Sequence, residues 1–421
     1  MIWVGFLGTM VGCSWNRWDD EFLDRPISKN CDAFVPFYDQ QPLSARSLSI
    51  ECCADSLADL NFRLADYTLA ESIHFNCSAE QFDRIPSMPS VTALRSEVMT
   101  DNVLAFPNLR SFKNQTYLEE DLSANLFFLD SLRELVLVNP TGFPDILGTM
   151  PLEVFKMTFR HSNERRVVLP DNLPALKTLK ELRIEDLDVV IFSDFEELTG
   201  LRKLRLSKVD VARFPRVDDL WPELSFLEMN EFNVRGQLPD VFADMTQLDT
   251  VLISRSEIST NELTNLCAAP KLRSLSLRFC EFETIPEALG DLSELEHLTL
   301  SVSQNSPNAP VELPGTLNNL TNLRSVSLKL NTDHFPTELA VLKQSLESLM
   351  LSDDIGSVPA LIGEFSALRT LRLNNCGLTA LPSTVQNLAD TLEELYLEGN
   401  DFDEATRTQI RAWLPETELR F

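Results

Sequence analysis

The sequence predicts an α/β solenoid, a chain wound into short coils that stack along one axis. A phrase of leucine-x-x-leucine-x-leucine returns about every 23 residues through most of the 421 residues. A period of this size indicates stacked repeats, because a unit so short cannot bury its apolar face alone. The chain is 44% hydrophobic and has no Ser/Gly-rich or Pro-rich linker. The coils are therefore expected to share one continuous core.

Each coil should begin with a strand at the leucine phrase, as at Leu368, Leu371 and Leu373. Because side chains alternate across a strand, these leucines face inward, and positions 1, 2, 4 and 6 after the first leucine face the open side. Clear copies open at Leu132, Leu152, Leu179, Leu201, Leu224, Leu248, Leu272, Leu295, Leu323, Leu346, Leu368 and Leu392. Weaker copies open at Ala45, Ala70, Val91 and Leu109. We expect about 16 coils over residues 45–400, clearest from residue 132.

The second half of each coil should return on the opposite side as a short helical stretch. Most coils close the strand half with an apolar–Pro step, such as Ile285-Pro286, which is followed by PEALGDLSELEHL. In that stretch Leu289 and Leu292 are predicted to face inward with the strand leucines. The last segment, residues 401–421, breaks the pattern and predicts a helix, a turn at Pro415 and a short strand. It would shield the apolar edge of the final coil from water.

These residues resemble the leucine-rich repeat family. The resemblance implies a curved horseshoe, with a parallel sheet on the concave face and short helices and turns on the convex face. Members of the family usually carry Asn or Cys eight residues after the first leucine, where the side chain bonds the backbone of a neighbouring coil. Cys280, Asn331, Cys376 and Asn400 match this position, and Asp354 is expected to substitute for it. Other coils lack the residue, so an intermittent ladder is predicted.

The charge of the chain is strongly acidic, with 64 Asp and Glu against 36 Lys and Arg, a net charge of −28. A field of that sign disfavours nucleic acid, whose phosphates supply much of the affinity for proteins. Over the twelve clear coils, the open-face positions carry 13 basic and 11 acidic residues. The concave surface is therefore predicted to be much less acidic than the rest of the chain.

One basic patch is predicted on that surface. Lys156, Arg183 and Arg205 share the fourth position of three consecutive coils, and the coil that opens at Leu152 is lengthened to 27 residues. Lengthened loops on a rigid scaffold often carry function. The predicted partner-binding residues are Lys156, Arg160, Arg165, Arg166, Lys180, Arg183, Arg202, Lys203 and Arg205. The alternative is that these cations only pair with the neighbouring carboxylates of Glu153, Glu181 and Glu185.

The first residues suggest export. Residues 1–13 resemble a bacterial lipoprotein signal that ends in Met10-Val11-Gly12-Cys13, which implies a lipidated Cys13 and a tether and cap over residues 14–44. No Lys or Arg precedes the apolar stretch, although a secretory signal normally has one. The alternative is an ordinary hydrophobic terminus packed on the first coil.

A disulfide between Cys52 and Cys77 would fit an exported protein. The two residues follow Ala45 and Ala70 by seven positions each. Neighbouring coils should therefore stack them at strand spacing, within disulfide range. Eight cysteines leave other pairings open.

Catalytic motifs are missing from the sequence, and no cofactor or metal is predicted. The four histidines match no metal-ligand spacing, and no phosphate loop, GxSxG elbow or HExxH is present. The predicted function is non-catalytic binding of another protein, or an acidic glycan, by the concave face and rim loops in the cell envelope. The only predicted membrane contact is the lipid anchor. Two alternatives stay open: a cytoplasmic signalling scaffold, and a surface hydrolase or glycan-active protein.

Overall fold

In the computed structural model, short parallel strands lie side by side in one continuous sheet. The structure describes residues 46–51, 68–76, 79–96, 98, 100–114, 124–139, 147–159, 173–191, 198–213, 221–231, 233–234, 240–303 and 310–421. The predicted signal, tether, Cys13, Cys52 and Cys77 lie outside these residues. So do Arg160, Arg165 and Arg166.

Each of the sixteen predicted coil openings is followed by a strand. The strands are β1 (Ser47–Glu51), β2 (Ser72–Asn76), β3 (Ala93–Ser96), β4 (Ser111–Asn114), β5 (Glu134–Val138), β6 (Val154–Thr158), β7 (Glu181–Ile191), β8 (Lys203–Arg213), β9 (Phe226–Asn230), β10 (Asn233–Val234), β11 (Thr250–Ser254), β12 (Ser274–Cys280), β13 (His297–Val302), β14 (Ser325–Lys329), β15 (Ser348–Leu351), β16 (Thr370–Arg372), β17 (Glu394–Tyr396) and β18 (Glu418–Arg420). Each strand pairs in parallel with the next, except that β9 pairs with β11 and the short β10 pairs with the second half of β8.

The register places equal positions of successive coils side by side. Leu204 on β8 faces Leu227 on β9, and Val251 on β11 lies between Leu227 and Leu275 on β12. All four side chains are at most 1% exposed, and burial of a leucine contributes about 1.5–3 kcal/mol. The predicted α/β solenoid with inward leucine columns is therefore confirmed.

The return half of the coils is built from short helices. The α-helices among the described residues are α1 (Ala79–Phe82), α2 (Thr260–Leu266) and α3 (Glu404–Trp413). The 3₁₀ helices are Asp101–Ala105, Ala124–Phe128, Leu147–Thr149, Leu173–Ala175, Asp240–Ala243, Glu287–Asp291, Gly315–Asn319, Thr337–Leu342, Ala360–Glu364 and Ser383–Leu388. None of the described helices is long and apolar enough to cross a membrane.

The apolar–Pro steps start several of these 3₁₀ turns. Pro286 takes φ −70° and ψ 150° just before Glu287–Asp291, and the Leu292 N–H then bonds the Leu289 carbonyl. Because proline fixes φ near this value and lacks the N–H that a helix start leaves unbonded, it is suited to the site. A 3₁₀ turn advances about 2 Å per residue, so five residues return the chain toward the next strand.

The chain leaves the strand through a left-handed turn in many coils. Seven residues after the opening leucine, φ is positive at Asn139, Asp186, Lys208, Glu231, Arg255, Phe279, Asn375 and Gly399. Asn and Gly accept this conformation with little strain, whereas a bulky side chain does not. Phe279, with φ 54° and 47% of its surface exposed, is therefore unusual in this column.

The predicted polar ladder is present in part. The Asn400 amide accepts the Cys376 and Leu378 N–H groups, each at 3.0 Å, and the Cys280 and Cys376 thiols bond carbonyls of preceding coils. The expectation for Asp354 was wrong: that side chain is exposed, and the buried neighbour Asp353 accepts the Leu330 N–H at 2.6 Å.

Asn331, the other predicted ladder residue, uses its backbone instead. Its φ is 58°, and its own N–H bonds the Asp353 carboxylate at 3.0 Å. The turn here is one residue longer than in the coils where φ is positive at the seventh position. A fixed offset from the first leucine therefore does not find the bonding side chain.

The final coil is covered by α3 and β18. Strand β18 continues the sheet by pairing with β17, and Leu414 at the end of α3 is 1% exposed. Phe421 packs edge-on against Phe402, with ring centroids 6.2 Å apart. These contacts remove the apolar edge of the last coil from water.

Candidate functional site on the concave face

The three central residues of the predicted basic patch lie on adjacent strands. Lys156 on β6 pairs in register with Arg183 on β7, which pairs with Arg205 on β8. Neighbouring strands are about 4.8 Å apart, so the three side chains leave the sheet next to one another. The structure therefore brings together the column that the repeat phase predicts.

Each of these cations also contacts a carboxylate. The Lys156 ammonium lies 3.4 Å from Glu181, and the Arg183 guanidinium donates to Glu185 from Nε at 2.7 Å. Arg205 Nη1 lies 3.3 Å from a Glu228 oxygen, and its guanidinium stacks over the Phe226 ring at 4.9 Å. The pairing with neighbouring acids, expected as the alternative, is present here. A role of the column in partner binding stays a prediction.

The flanking cations are more exposed. Lys180 donates to Glu153 at 2.7 Å, and this hydrogen bond lowers the pKa of the Glu153 carboxyl. Arg202 lies 3.8 Å from Glu223. Lys203 is exposed and has no ion pair within the part of the chain that the structure describes. Ion pairs at exposed positions contribute only about 0–1 kcal/mol, so a ligand could exchange with them at small cost.

Three polar side chains on β8, β9 and β11 form a second column on the sheet. Ser254 donates to the Asn230 side chain at 2.6 Å, and Asn230 donates to Ser207 at 3.0 Å. All three occupy the sixth position of their coils. Such side-chain bonds fix the rim of the sheet in one arrangement.

Beyond this column, the concave face changes character. We call the outward positions 2, 4 and 6 of the six coils that open between Leu248 and Leu368 the hydroxyl floor. The hydroxyl floor consists of Thr250, Leu252, Ser254, Ser274, Ser276, Arg278, His297, Thr299, Ser301, Ser325, Ser327, Lys329, Ser348, Met350, Ser352, Thr370, Arg372 and Asn374. None of the eighteen is Asp or Glu, although the chain has 64 of them. The repeat positions in the sequence are sufficient to find this surface. The summed charge of all open-face positions does not show it.

The C-terminal end of the face carries a cation–aromatic stack. The guanidinium of Arg372 lies 4.4 Å from the Tyr396 ring centroid, and that of Arg420 lies 4.8 Å from the same centroid. The three residues are the last residues of β16, β17 and β18 and pair in register. The Tyr396 hydroxyl donates to Glu394 at 3.1 Å. This stack lies at the C-terminal end of the concave face.

The described residues give little support for a metal site or for a nucleophilic thiol. No group of three or more His, Cys, Asp or Glu side chains there could hold a metal ion. Burial raises the pKa of the Cys267 thiol to about 12, that of Cys280 to about 11 and that of Cys376 to about 12. A thiol with a pKa in this range is almost entirely protonated near pH 7, and only the thiolate is a good nucleophile.

Comparison with known proteins agrees with this architecture. The sequence model of the family described as Leucine Rich Repeat matches residues 271–292 and 367–388, two coils that contribute strands β12 and β16. A solved structure of a leucine-rich repeat protein from Leptospira interrogans superposes with a TM-score of 0.65 at 21% identity. It covers 91% of this chain and 97% of that one. The chain is a leucine-rich repeat protein.

Two further proteins are similar to parts or most of this leucine-rich repeat protein. A human volume-regulated anion channel subunit is 26% identical over 199 residues, which cover 41% of this chain and 23% of the subunit. The chain thus spans about a quarter of the length of the curated relatives that it matches. The structure of TLR13 in complex with ssRNA13 superposes with a TM-score of 0.62 at 14% identity, covering 90% of this chain and 65% of that one.

Proposed function

We propose that this leucine-rich repeat protein is a non-catalytic binding module that holds a partner protein against its concave face. The observation that carries the proposal is the register of β6, β7 and β8, which aligns Lys156, Arg183 and Arg205 on an open sheet. An open sheet with in-register charged side chains is suited to a macromolecular surface rather than to an enclosed small molecule.

The sheet presents these side chains in a fixed arrangement. Parallel pairing holds the strands, and the carboxylates of Glu181 and Glu228 hold the guanidinium of Arg205 between them. Groups that are ordered before contact lose little entropy on binding. Lys156, Arg183 and Arg205 can therefore replace their contacts with carboxylates of this chain by contacts with carboxylates of a partner. The cations would keep their positions on the sheet.

The charge of the chain favours a protein over a nucleic acid as partner. One solved structure of similar fold contains RNA, but this chain has a net charge of −28. The cations of the column already contact Glu181, Glu185 and Glu228. Phosphate contacts supply much of the affinity of proteins for nucleic acid, and a strongly negative chain repels phosphates, so a protein with a mixed or acidic patch fits better.

The test is affinity capture from the native source with Arg183→Glu combined with Arg205→Glu. Reversal of both charges should reduce capture of the partner at least several-fold while the melting temperature stays nearly unchanged, because the affected ion pairs lie on the open face and are partly exposed to water. The matched control is Lys177→Glu combined with Lys271→Glu, which changes the net charge equally at exposed positions outside the strands. Equal capture of the partner by the two double variants would show that the binding site lies elsewhere.

Attachment to the cell envelope is part of the proposal and depends on Cys13. Metabolic labelling with a fatty-acid analogue should mark the native protein and not Cys13→Ser. An unlabelled protein in membrane-free extracts would instead favour a cytoplasmic scaffold. Turnover in glycan and peptide substrate screens, abolished by changing one open-face Glu, would contradict the non-catalytic assignment.

A further inference from the structure

We propose that the hydroxyl floor binds an extended acidic segment of a protein, with its carboxylates placed on Arg278, Lys329 and Arg372. The inference deepens the proposed function, because it assigns a second surface of the same concave face and the chemistry of its ligand. It rests on four observations: cations without a carboxylate partner among the described residues, the absence of Asp and Glu from the eighteen positions, short polar side chains and an exposed aromatic residue on the rim.

The three cations of the hydroxyl floor differ from those of the basic column. Within the residues that the structure covers, Arg278, Lys329 and Arg372 have no carboxylate within 4.0 Å. The edge column beside them alternates in sign and pairs with itself: Arg273 lies 3.8 Å from Glu296, and Arg324 lies 3.9 Å from Glu347. These edge acids therefore pair with edge cations, and Arg278, Lys329 and Arg372 have no carboxylate partner of their own in the described part of the chain.

The rest of the hydroxyl floor is short and polar. Eleven of its eighteen residues are Ser or Thr, whose hydroxyls both donate and accept hydrogen bonds. Ser276 is buried and the Thr250 and Ser254 hydroxyls donate to neighbouring side chains, and the other hydroxyls offer hydrogen-bonding groups to an extended backbone. Short side chains also let that backbone approach the sheet closely.

The aromatic content favours a peptide over a sugar chain. A carbohydrate site usually offers an open aromatic face, but the eighteen positions contain no Phe, Tyr or Trp. Tyr396, on the strand that follows β16, has guanidinium groups stacked on it from both neighbouring strands, and Phe279 lies at the rim rather than among the eighteen positions. Leu252 and the 37% exposed Met350 offer instead apolar contacts for peptide side chains.

Strand β12 adds an anchor at the rim of the hydroxyl floor. Its register to β13 shifts between Leu277 and Cys280, and this irregularity carries Arg278 and Phe279. Phe279 keeps a positive φ of 54° although 47% of its surface is exposed. Bulges commonly re-aim side chains beside binding sites, and strained exposed residues concentrate there. Arg278 and Phe279 together form a charged and apolar contact point.

The spacing of the cations sets the spacing of the ligand's acids. Arg278 and Lys329 stand two strands apart, or about 10 Å, and Lys329 and Arg372 about 12 Å apart. An extended peptide advances about 3.3 Å per residue, so its carboxylates should be separated by about three or four residues. The ligand runs across the strands, from β12 toward β16.

The test uses a fluorescent peptide of about fifteen Ser and Ala residues with three Glu about three residues apart. Its twin carries Gln in place of Glu, and an oligogalacturonate of equal charge represents a glycan. Fluorescence anisotropy at low ionic strength should show binding of the Glu peptide and much weaker binding of the Gln twin. Arg278→Gln, Lys329→Gln and Arg372→Gln combined should weaken binding about tenfold, because each exposed charge contact contributes modestly.

The control triple variant is Arg84→Gln, Lys177→Gln and Lys271→Gln, which removes the same charge at exposed positions away from the hydroxyl floor. Equal loss in this control, or equal binding of the Glu and Gln peptides, overturns the inference. Preferential binding of the oligogalacturonate overturns it in favour of a glycan. Loss only in the Arg183→Glu/Arg205→Glu variant would also overturn it, yet would leave the proposed concave-face function intact.

Discussion

Asn400 and Cys376 join two adjacent coils, because the Asn400 side-chain oxygen accepts the Cys376 backbone N–H at 3.0 Å. The amide nitrogen of the Asn400 side chain donates to the Leu373 and Leu397 carbonyls at 2.6 and 2.8 Å. One side chain thus satisfies backbone groups of its own coil and of the coil before it. The bonds lie inside the turn after the strand, where water does not replace them well.

Replacement of Asn400 by Ala should lower the free energy of unfolding by about 2–3 kcal/mol, because buried backbone donors and acceptors lose their partner. Asn400→Asp keeps the accepting oxygen but loses both donations, so its loss should be intermediate near neutral pH. Chemical denaturation followed by circular dichroism measures both. An Asn400→Ala protein as stable as the parent would contradict the bridging role.

Asp353 and Asp354 form a natural pair for a second test. Asp353 is 8% exposed and accepts the Leu330 and Asn331 N–H groups, whereas Asp354 is exposed. Asp353→Ala should cost about 1–3 kcal/mol of unfolding free energy, since it leaves backbone donors unbonded. Asp354→Ala should change stability by less than about 0.5 kcal/mol. A larger loss of stability in Asp354→Ala than in Asp353→Ala would instead support Asp354, the residue that the repeat pattern predicts.

Two left-handed glycines separate steric from conformational cost. A Cβ on Gly399, whose φ is 74°, would lie 2.1 Å from Asn375 Oδ1, whereas a Cβ on Gly356, whose φ is 64°, would meet nothing within 4 Å. Gly356→Ala should cost about 1–2 kcal/mol for the left-handed backbone alone. Gly399→Ala should cost more, since Asn375 must also move. Thermal melts of the two variants, compared directly, decide the order.

The pair of His334 and Asp333 predicts a small pH dependence. Their side chains are 3.0 Å apart, and the hydrogen bond raises the pKa of the His334 imidazole and lowers that of the Asp333 carboxyl. A raised imidazole pKa stabilises the fold fully below the usual histidine value, and this contribution is lost as pH rises through the raised value. It should be small, because both groups are exposed.

Nuclear magnetic resonance titration checks this pair. Asp333→Asn should lower the midpoint of the His334 ring signals toward the ordinary range, and it should reduce stability slightly at pH 5.5 but not at pH 9. Glu338→Gln is the control, because Glu338 raises the His334 pKa less than Asp333 does. An unchanged midpoint in Asp333→Asn would show that the hydrogen bond is not formed in solution.

The sequence by itself determined the fold and the identity of neighbours across the sheet. Alternation fixes which side of a strand each residue faces, and the apolar side must be buried. The phase of the leucine phrase therefore placed Lys156, Arg183 and Arg205 on adjacent strands, and it placed Leu204 and Leu227 in one interior. It did so even at Ala45, Ala70, Val91 and Leu109, where the phrase is weak, because neighbouring coils impose the same register.

Only the tertiary structure decided how the side chains use that framework. The turn after each strand varies in length, so Asp353 rather than Asp354 reaches the backbone of the preceding coil. Which carboxylate neutralises which cation depends on rotamers and distances across strands, as Glu181 facing both Lys156 and Arg205 illustrates. Periodicity constrains the backbone, because burial is shared by every coil. Polar pairing is a local choice among several neighbours of similar energy, and no repeat pattern encodes it.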